Sequence, residues 1–545
     1  MQVQAAMAEV DPKAQVCTYQ DDMEAVCAIE VISAANEAYG AACTRIGLRA
    51  NLPKTRVTPG RGVAVSNLPV GLAIDHRAIV LRHGGGTPVP ALPAASHVEG
   101  SLLAEGSPEV QAISESRACF YRRLRELRAA GLRSVAALDM LRARTAGDYV
   151  FVARACGIPA READALDAAL CTELSRYFGD GAVIAPDTPA GRKLFLRSTD
   201  GGLGFQSIAR TSPAAYAASW HACLPKIVTD LGLQGVSGLT AISPWAAQCL
   251  PIATQTLRRA LEDDSLDIGD DSVAASQHIL AKAPHAAAAK RVSEELAVDV
   301  RASAALRSSG GPGAGLWTRA PTLPNQQLSD SQFCIALRTR LHMAIPQCTG
   351  FCQHRRQDGS LCNAPLDPHG YHARVCPAGG WLVKRHDAAC AVLGTWCEDL
   401  GCQLEAGQKP WGEVLVPWAA PNRPAARMDL VIHVPGVASP LYVDLTVVSA
   451  LSSDALAGGS AVRSGAAADI AARGKSRDYP LCSVTAFVIE DHGRLGEDAL
   501  RLIRLVAPTD PADRSRAIRR LHQSLGATLQ RVAANAVIAA TTVRL

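Results

Sequence analysis

A cluster of cysteines and histidines between residues 345 and 380 constrains the fold of this chain more than any other feature. Cys352, Cys362, His372 and Cys376 follow one another with nine, nine and three residues between them. His372 and Cys376 are four residues apart, so both can lie on one side of a single helical turn. Thiolate and imidazole ligands at this spacing predict a closed, tetrahedral, structural zinc site.

Two more residues of the same stretch, Cys348 and His369, are alternative ligands for this ion. The competing interpretation is a set of buried cysteines without a metal. Gln, Arg, Asp and Gly surround the cysteines, however, and such residues make a poor hydrophobic core. The chain has 17 cysteines, and the 13 outside this stretch are scattered. Their scatter does not match a small disulfide scaffold and indicates a reducing compartment.

Two apolar runs with strand character each carry one acidic residue. The first run, Leu430–Val434, directly follows Asp429, and the second, Leu441–Val448, contains Asp444. A Pro-Gly pair between the runs predicts a turn, so the two runs form neighbouring strands. Carboxylates at the mouth of such a hairpin suit a hard divalent cation such as Mg²⁺, which prefers oxygen ligands.

An alanine-rich helical stretch follows these strands and ends on Lys475 and Tyr479. The two side chains are four residues apart and share one helix face. A lysine beside a carboxylate-bound cation can position a water or neutralise a phosphate, as metal-assisted phosphodiester hydrolysis requires. The alternative interpretation is two strand-end acids and a solvated lysine.

The amino-terminal region contains CTYQDDMEAVC, in which Asp21 and Asp22 are adjacent, followed by the string GLRANLPKTRV. An Asp-Asp pair alone is a weak signal, because helix N-caps use the same residues. Together with the downstream string, it resembles the palm of a reverse transcriptase. The resemblance implies that Asp21 and Asp22 face catalytic Mg²⁺ and that Lys54 lies near the incoming nucleotide. The family's further metal-bridging acid lies well upstream of this hairpin, so we expect a truncated or inactive polymerase remnant that cannot polymerise DNA by itself.

Nearly the whole chain resembles the C-terminal half of non-LTR retrotransposon proteins that carry a restriction-endonuclease-like domain. In that family a Cys/Cys/His/Cys knuckle precedes the nuclease, and an Arg-His-Asn or Arg-His-Asp string follows the knuckle; here the string is Arg385-His386-Asp387. The resemblance implies a PD-(D/E)xK nuclease in which Asp429 and Asp444 hold Mg²⁺. Two departures are visible, since Met428 stands where the pattern has proline and Thr446 where it has lysine.

The same resemblance assigns further roles around the two acids. In this branch the lysine moves to the next helix, where Lys475 fits it and Tyr479 lies one turn on. Glu405 is then an auxiliary acid before the first strand. Phosphate contacts are expected from four basic residues: Arg385, His386, Arg473 and Arg477.

The predicted fold class is a multidomain α+β protein with a mostly helical middle and an α/β nuclease core. The predicted divisions are a partial palm (1–65), a thumb-like connection region (66–245), a helical linker region (246–344), the zinc knuckle (345–380), the nuclease (381–510) and a C-terminal helix (511–545). Ser308–Gly315 reads as a flexible joint because it is rich in glycine and serine. A basic helix over Cys119–Arg133 favours a solvated face over nucleic-acid contact.

The expected function is target-site nicking of DNA by a Mg²⁺-dependent endonuclease, with element RNA as a second partner. Net charge is only +4, so any nucleic-acid surface is local. No apolar stretch long enough for a membrane span and no secretory signal are visible, so we expect an intracellular protein, nuclear or cytoplasmic. Two alternatives stay open: a nucleic-acid-binding module with a decayed nuclease, and a non-functional product of a truncated element.

Overall fold

The computed structural model describes residues 106–542 except 180–181, 271–274, 406–412 and 421, together with short segments before residue 106. Among those segments, β1 (Gln15–Tyr19) and β2 (Asp22–Val26) pair as antiparallel strands with Tyr19 opposite Asp22. Strands β3 (Arg56–Val57) and β4 (Ala73–Ile74) pair in parallel. Asp21 and Lys54, which the sequence assigns to the polymerase remnant, lie outside the described residues.

The protein is a mixed fold that is mostly helical and has a small sheet. It divides into two compact units. One comprises Met1–Ser96 with Ser237–Gln248, and the other comprises His97–Val236 with Cys249–Leu545. Both the cysteine cluster and the acid-bearing strands belong to the second unit, which is described below.

Helices dominate the described residues between 106 and 344, as the apolar periodicity predicts. They are α1 (Pro108–Ala129), α2 (Ser134–Gly147), α3 (Val150–Ala155), α4 (Ala160–Ser175), α5 (Pro189–Leu194), α6 (Ile208–Asp230), α7 (Val236–Ile242), α8 (Pro244–Leu261), α9 (Gln277–Leu280), α10 (Lys282–Leu296), α11 (Val300–Ser309) and α12 (Asp330–Leu341).

Two arginines of α1 are used inside the protein. Arg125 forms an ion pair of 2.6 Å with Glu173, and the Arg128 guanidinium lies 4.4 Å from the centre of the Tyr177 ring. These contacts hold α1 against α4 and the segment that follows it. The basic face predicted from the sequence is therefore partly a packing face.

The segment Ser308–Gly315 is packed against its surroundings, so the prediction of a flexible joint is wrong. Ser308 and Ser309 are buried, the N–H of Gly311 donates to Thr199 O, and the N–H of Arg494 donates to Ser308 O. Because its glycines have no side chain, the backbone packs closely against neighbouring segments.

The C-terminal part is an α/β layer structure. Its helices are α13 (Tyr371–Val375), α14 (Trp381–Asp399), α15 (Ser453–Ala457), α16 (Ala466–Asp478), α17 (Glu497–Val506) and α18 (Pro511–Thr541). Its strands are β5 (Gln403–Leu404), β6 (Val414–Leu415), β7 (Arg427–Met428), β8 (Leu430–His433), β9 (Leu441–Val448) and β10 (Val484–Glu490).

Four strands form one sheet in the order β10-β9-β8-β5. Strand β9 runs antiparallel to β8 and parallel to β10, with Leu430 opposite Val443 and Asp444 opposite Ala486. The parallel pair requires a crossover, which α15 and α16 supply. The separate pair β6-β7 is antiparallel and leads directly into Asp429.

Alternate residues of the sheet fill two different cores. On one face, Leu430, Val443 and Phe487 pack with residues of α14, α17 and α18. On the other face, Val488 and Ala486 pack against α16. Helices therefore cover both faces, and the ends of β8 and β9 meet at one edge of this layer.

Helix α18 is longer and more central than a terminal packing helix. Leu525 belongs to the core under the sheet, Ala527 to the core of the helical middle, and Val537 to the core of the cysteine cluster. Within the described residues, no helix combines the length and apolar character that crossing a membrane demands.

Candidate active site and metal centre

The cysteine cluster is built on a short reversed loop and one helical turn. The N–H of Cys352 donates to Ala364 O and the N–H of Cys362 donates to His354 O, which brings the first two cysteines together. His372 lies on α13, and Cys376 follows that helix directly.

The four ligand atoms lie within 4.8 Å of one another. The sulfurs of Cys352 and Cys376 are 3.9 Å apart, and the Cys362 sulfur is 3.4 Å from His372 Nε2. These separations are close to the roughly 3.5 Å expected between ligands of a tetrahedral zinc ion. The cluster can bind a metal ion such as zinc.

Each of the three sulfurs accepts a backbone N–H from the residue two positions further along the chain. Such bonds stabilise a thiolate and orient it toward an ion. Burial opposes ionisation of Cys362, but these bonds outweigh it and its pKa is lowered. Burial raises the pKa of Cys376 to about 12, so a bound cation is needed to keep this sulfur ionised.

Hydrogen bonds outside the ligand set hold the cluster in place. The carboxylate of Asp367 accepts the backbone N–H groups of His369, Tyr371 and His372 and so fixes the start of α13. On the other side, the N–H of Gln353 donates to Ala540 O at the end of α18.

The two alternative ligands lie elsewhere. Cys348 is buried in the apolar core beside Gly370, and this burial raises its pKa to about 12. The His369 ring stacks on that of His342 with centres 4.0 Å apart. Neither belongs to the group of four ligand atoms.

The structure brings Asp429 and Asp444 together, close enough for each carboxyl group to affect the pKa of the other. Asp429 precedes β8, and because Leu430 pairs with Val443, it lies next to Asp444 across the strands. The N–H of Leu445 donates to Asp429 Oδ2 at 2.7 Å. Two like charges in a largely buried position need a proton or a cation nearby.

The chain supplies two such cations. Lys475 Nζ, on α16, donates to Asp444 Oδ1 at 2.8 Å. His386 Nε2, on α14, lies 3.2 Å from Asp429 Oδ2 and 3.1 Å from Leu445 O. The hydrogen bond to Asp429 raises the pKa of His386 to about 11, so this ring is a cation at neutral pH.

The two carboxyl groups differ in their acidity. Burial works to raise the pKa of Asp429, but the hydrogen bond and charge of His386 outweigh it, and the pKa is lowered. Burial raises the pKa of Asp444 in spite of Lys475. Asp429 is therefore the more firmly ionised member of the pair.

Tyr479 belongs to the same group of residues but is buried. Its hydroxyl donates to Arg427 O at 2.6 Å, which ties the end of α16 to β7. Burial and the negative charge of Asp444 raise its pKa. It therefore stays protonated and supports the segment that carries Asp429.

Two sequence-based assignments can be compared with the structure. Within the described part of the chain, Glu405 contacts His433 at 3.0 Å and makes no hydrogen bond with either aspartate, so its auxiliary role stays a prediction. Arg385 is buried and its Nη1 donates to Arg374 O, so its guanidinium faces the interior rather than a phosphate.

Neither a protein-family model nor a curated protein sequence matches this chain. The two ring nitrogens of His386 face the carboxylates of Asp429 and Asp387, a position that no local sequence pattern indicated. Its predicted phosphate contact stays a prediction. Arg473 and Arg477 are exposed on α16, as a phosphate contact requires.

Proposed function

We propose that this chain carries a Mg²⁺-dependent DNA endonuclease that nicks one strand of a target duplex. The observation that carries the proposal is the close approach of the carboxyl groups of Asp429 and Asp444, with Lys475 Nζ 2.8 Å from Asp444. The three groups come from two strands and a helix that are distant in sequence. Their convergence is the arrangement implied by the resemblance to retrotransposon endonuclease domains.

The residues present fit a hard divalent cation. Asp429 and Asp444 offer carboxylate oxygens, the ligand type that Mg²⁺ prefers. Their two negative charges are balanced by Lys475 and the protonated His386, so the group is neutral before a cation binds. A divalent ion would make it positive, which favours binding of a phosphodiester.

Bound Mg²⁺ would supply Lewis-acid activation and neutralise developing charge on the phosphate. Among the protein groups, Lys475 positions the attacking water, and His386 holds Asp429 in one orientation. The water oxygen forms a bond to phosphorus and gives up a proton to solvent, while the bond to the 3′ oxygen breaks and that oxygen takes up a proton from solvent. The products are a 5′-phosphate and a free 3′-hydroxyl, the end that primes reverse transcription in the family that this chain resembles.

The cysteine cluster has a structural role in this proposal. With zinc bound, it fixes the loop before α14, the helix that places His386 beside Asp429. The exposed Arg473 and Arg477 are proposed contacts for the DNA backbone. Element RNA is proposed as a second partner on the basis of the family resemblance.

The test is nicking of supercoiled plasmid with Mg²⁺ and with EDTA. Asp444→Ala is expected to abolish Mg²⁺-dependent nicking while DNA binding in a mobility-shift assay stays unchanged. Asp478→Asn, an exposed acid at the end of α16, is the control and should cut at the wild-type rate. A fully active Asp444→Ala protein would overturn the proposal.

A second function, a nucleic-acid-binding module with a decayed nuclease, is favoured by one observation. Both carboxylates already have a cation from the protein, Lys475 for Asp444 and His386 for Asp429. The charges of the cluster are therefore balanced without a metal ion. A protein that binds DNA but does not cut it, either in Mg²⁺ or in EDTA, would support this second function.

A further inference from the structure

Three metal-ligating side chains meet beside the carboxylate pair: His386, Cys390 and Asp429. Their ligand atoms all lie within 4.8 Å of one another. His386 and Cys390 are one turn apart on α14, so a rigid helix presents both from one face. Asp429 approaches from the start of β8. Imidazole, thiolate and carboxylate from two elements are the donor types that bind Zn²⁺ and similar ions.

We propose that His386, Cys390 and Asp429 form a second metal site, which takes a transition-metal ion such as Zn²⁺ and shares Asp429 with the Mg²⁺ site. Occupation of this site withdraws Asp429 from Mg²⁺ and inhibits nicking. The inhibitory part of this inference rests on the proposed endonuclease function, whereas the binding part stands on the geometry alone.

The distances suit a tetrahedral ion after small movements. His386 Nε2 is 3.2 Å from Asp429 Oδ2 and 3.8 Å from the Cys390 sulfur. Ligand atoms about a tetrahedral zinc ion are separated by roughly 3.3–3.7 Å, given typical zinc–ligand distances. The two separations that involve His386 therefore need shifts of only a few tenths of an ångström, and all three ligand atoms already lie within 4.8 Å of one another.

The surroundings of His386 match those of a metal-bound histidine. Its other nitrogen, Nδ1, lies 3.2 Å from Asp387 Oδ1. A carboxylate at this position orients the ring and makes the coordinating nitrogen a better donor. The His386 side chain is 29% exposed, which gives an ion access from solvent.

The donor set selects against Mg²⁺. A thiolate and an imidazole favour softer ions, whereas Mg²⁺ prefers oxygen ligands. Burial raises the pKa of Cys390 to about 11, and His386 is protonated at neutral pH, so the ion has to displace both protons and binding is best measured in mildly alkaline buffer. Because Asp429 cannot fully coordinate both ions at once, Zn²⁺ and Mg²⁺ compete for it.

Cobalt titration of the full chain, stripped of metal with a chelator, tests the binding part. Sulfur-to-cobalt charge-transfer absorption counts thiolate ligands, three from the cysteine cluster and one from Cys390. Cobalt held by the two carboxylates alone adds no such absorption, because its protein ligands are then oxygen atoms. Cys390→Ala and His386→Ala should each lose about a quarter of the wild-type absorption at saturation, since each variant removes the fourth sulfur from coordination.

Cys397→Ala is the matched control, because Cys397 is a buried cysteine of the same helix and the same core that lies outside the site. It should keep the full absorption. Wild-type absorption in both Cys390→Ala and His386→Ala would overturn the second site. If Cys390→Ala does not fold because of the cavity it leaves, the absorption of His386→Ala decides the question.

Inhibition of nicking by Zn²⁺ tests the regulatory part, with each variant compared with its own rate in Mg²⁺ alone. We expect Cys390→Ala to need at least tenfold more Zn²⁺ for half-inhibition than wild type or Cys397→Ala. Equal sensitivity of all three proteins would refute the regulation. If the wild-type chain does not nick in Mg²⁺ at all, the endonuclease proposal fails, while the cobalt titration still decides the metal site.

Discussion

Lys475 is the side chain on which the catalytic proposal depends most closely, and its substitution gives the first prediction. Lys475→Ala removes the only amine that contacts Asp444 among the described residues. We expect the nicking rate to fall about 100-fold, the usual effect of losing one preorganised electrostatic group. Plasmid nicking under single-turnover conditions measures the rate.

The control for this prediction is Lys384→Ala. Lys384 lies on α14 with its ammonium 4.3 Å from the centre of the Trp381 ring, away from the carboxylates. Its loss should leave nicking unchanged. A Lys475→Ala protein that cuts as fast as Lys384→Ala would show that the amine has a structural role only.

Gly313 provides a second prediction at this scale. Its φ is +76°, and a Cβ built there would lie 1.4 Å from Nδ1 of the buried His522. Gly313→Ala therefore combines about 1–2 kcal/mol of backbone strain with displacement of a packed side chain. Gly350 also has a positive φ, +75°, but a Cβ there meets nothing within 4 Å.

Urea unfolding should show that Gly313→Ala is less stable than Gly350→Ala by at least about 2 kcal/mol, the scale of overpacking a core. The comparison isolates the steric clash, since the two variants share the backbone strain. Equal midpoints would mean that His522 moves aside freely and that Ser308–Gly315 is looser than its burial implies.

At the scale of elements, local sequence patterns predicted the strands and helices well. The run Leu441–Val448 matches β9 residue for residue, and the alanine-rich stretch before Tyr479 became α16. Both follow from periodicity within a few residues, which the sequence carries directly.

Partners from distant segments were not predictable in the same way. Glu405 and His386 have similar polar surroundings in the sequence, yet Glu405 faces His433 and His386 faces Asp429. The difference arises from long-range packing. His386 reaches Asp429 from α14, 43 residues away in sequence, while Glu405 follows β5 and pairs with His433 on the neighbouring strand β8. No local pattern encodes such contacts between distant segments.

The cysteine cluster and α18 form one structural connection, which yields a prediction about metal removal. His354 Nε2 lies 2.9 Å from Ala536 O, and the N–H of Gln353 donates to Ala540 O. Because zinc-bound cysteine clusters lose their structure without the ion, chelation should release the end of this helix. Amide hydrogen exchange over residues 533–541 should accelerate about tenfold.

Residues 513–521 of the same helix serve as the internal control, because they pack toward the sheet core rather than the cluster. Their exchange should change little on chelation. Uniform acceleration along α18 would instead indicate global unfolding, and no change at residues 533–541 would show that the cluster holds its shape without metal.

On the scale of the whole molecule, α18 joins parts that the sequence divides into separate domains. It contributes to the core of the helical middle, the core under the sheet and the core of the cysteine cluster. Composition and spacing place boundaries at residues 344, 380 and 510, but they do not show that one helix crosses all three parts. A long amphipathic pattern is equally consistent with a peripheral helix.

The last prediction follows from this shared helix and concerns the predicted nuclease segment, residues 381–510, produced alone. Without α18 it lacks Leu521, Leu525 and Leu529, which are buried under the sheet. Burying three leucines contributes roughly 5–9 kcal/mol, about as much as the total stability of an ordinary domain. The segment should show no cooperative thermal transition by circular dichroism.

A full-length chain cleaved at an engineered site between α17 and α18 is the control, since α18 can stay bound there, and it should melt cooperatively. A cooperative melt of the isolated segment close to that of the cleaved chain would mean that the sheet core is complete without α18.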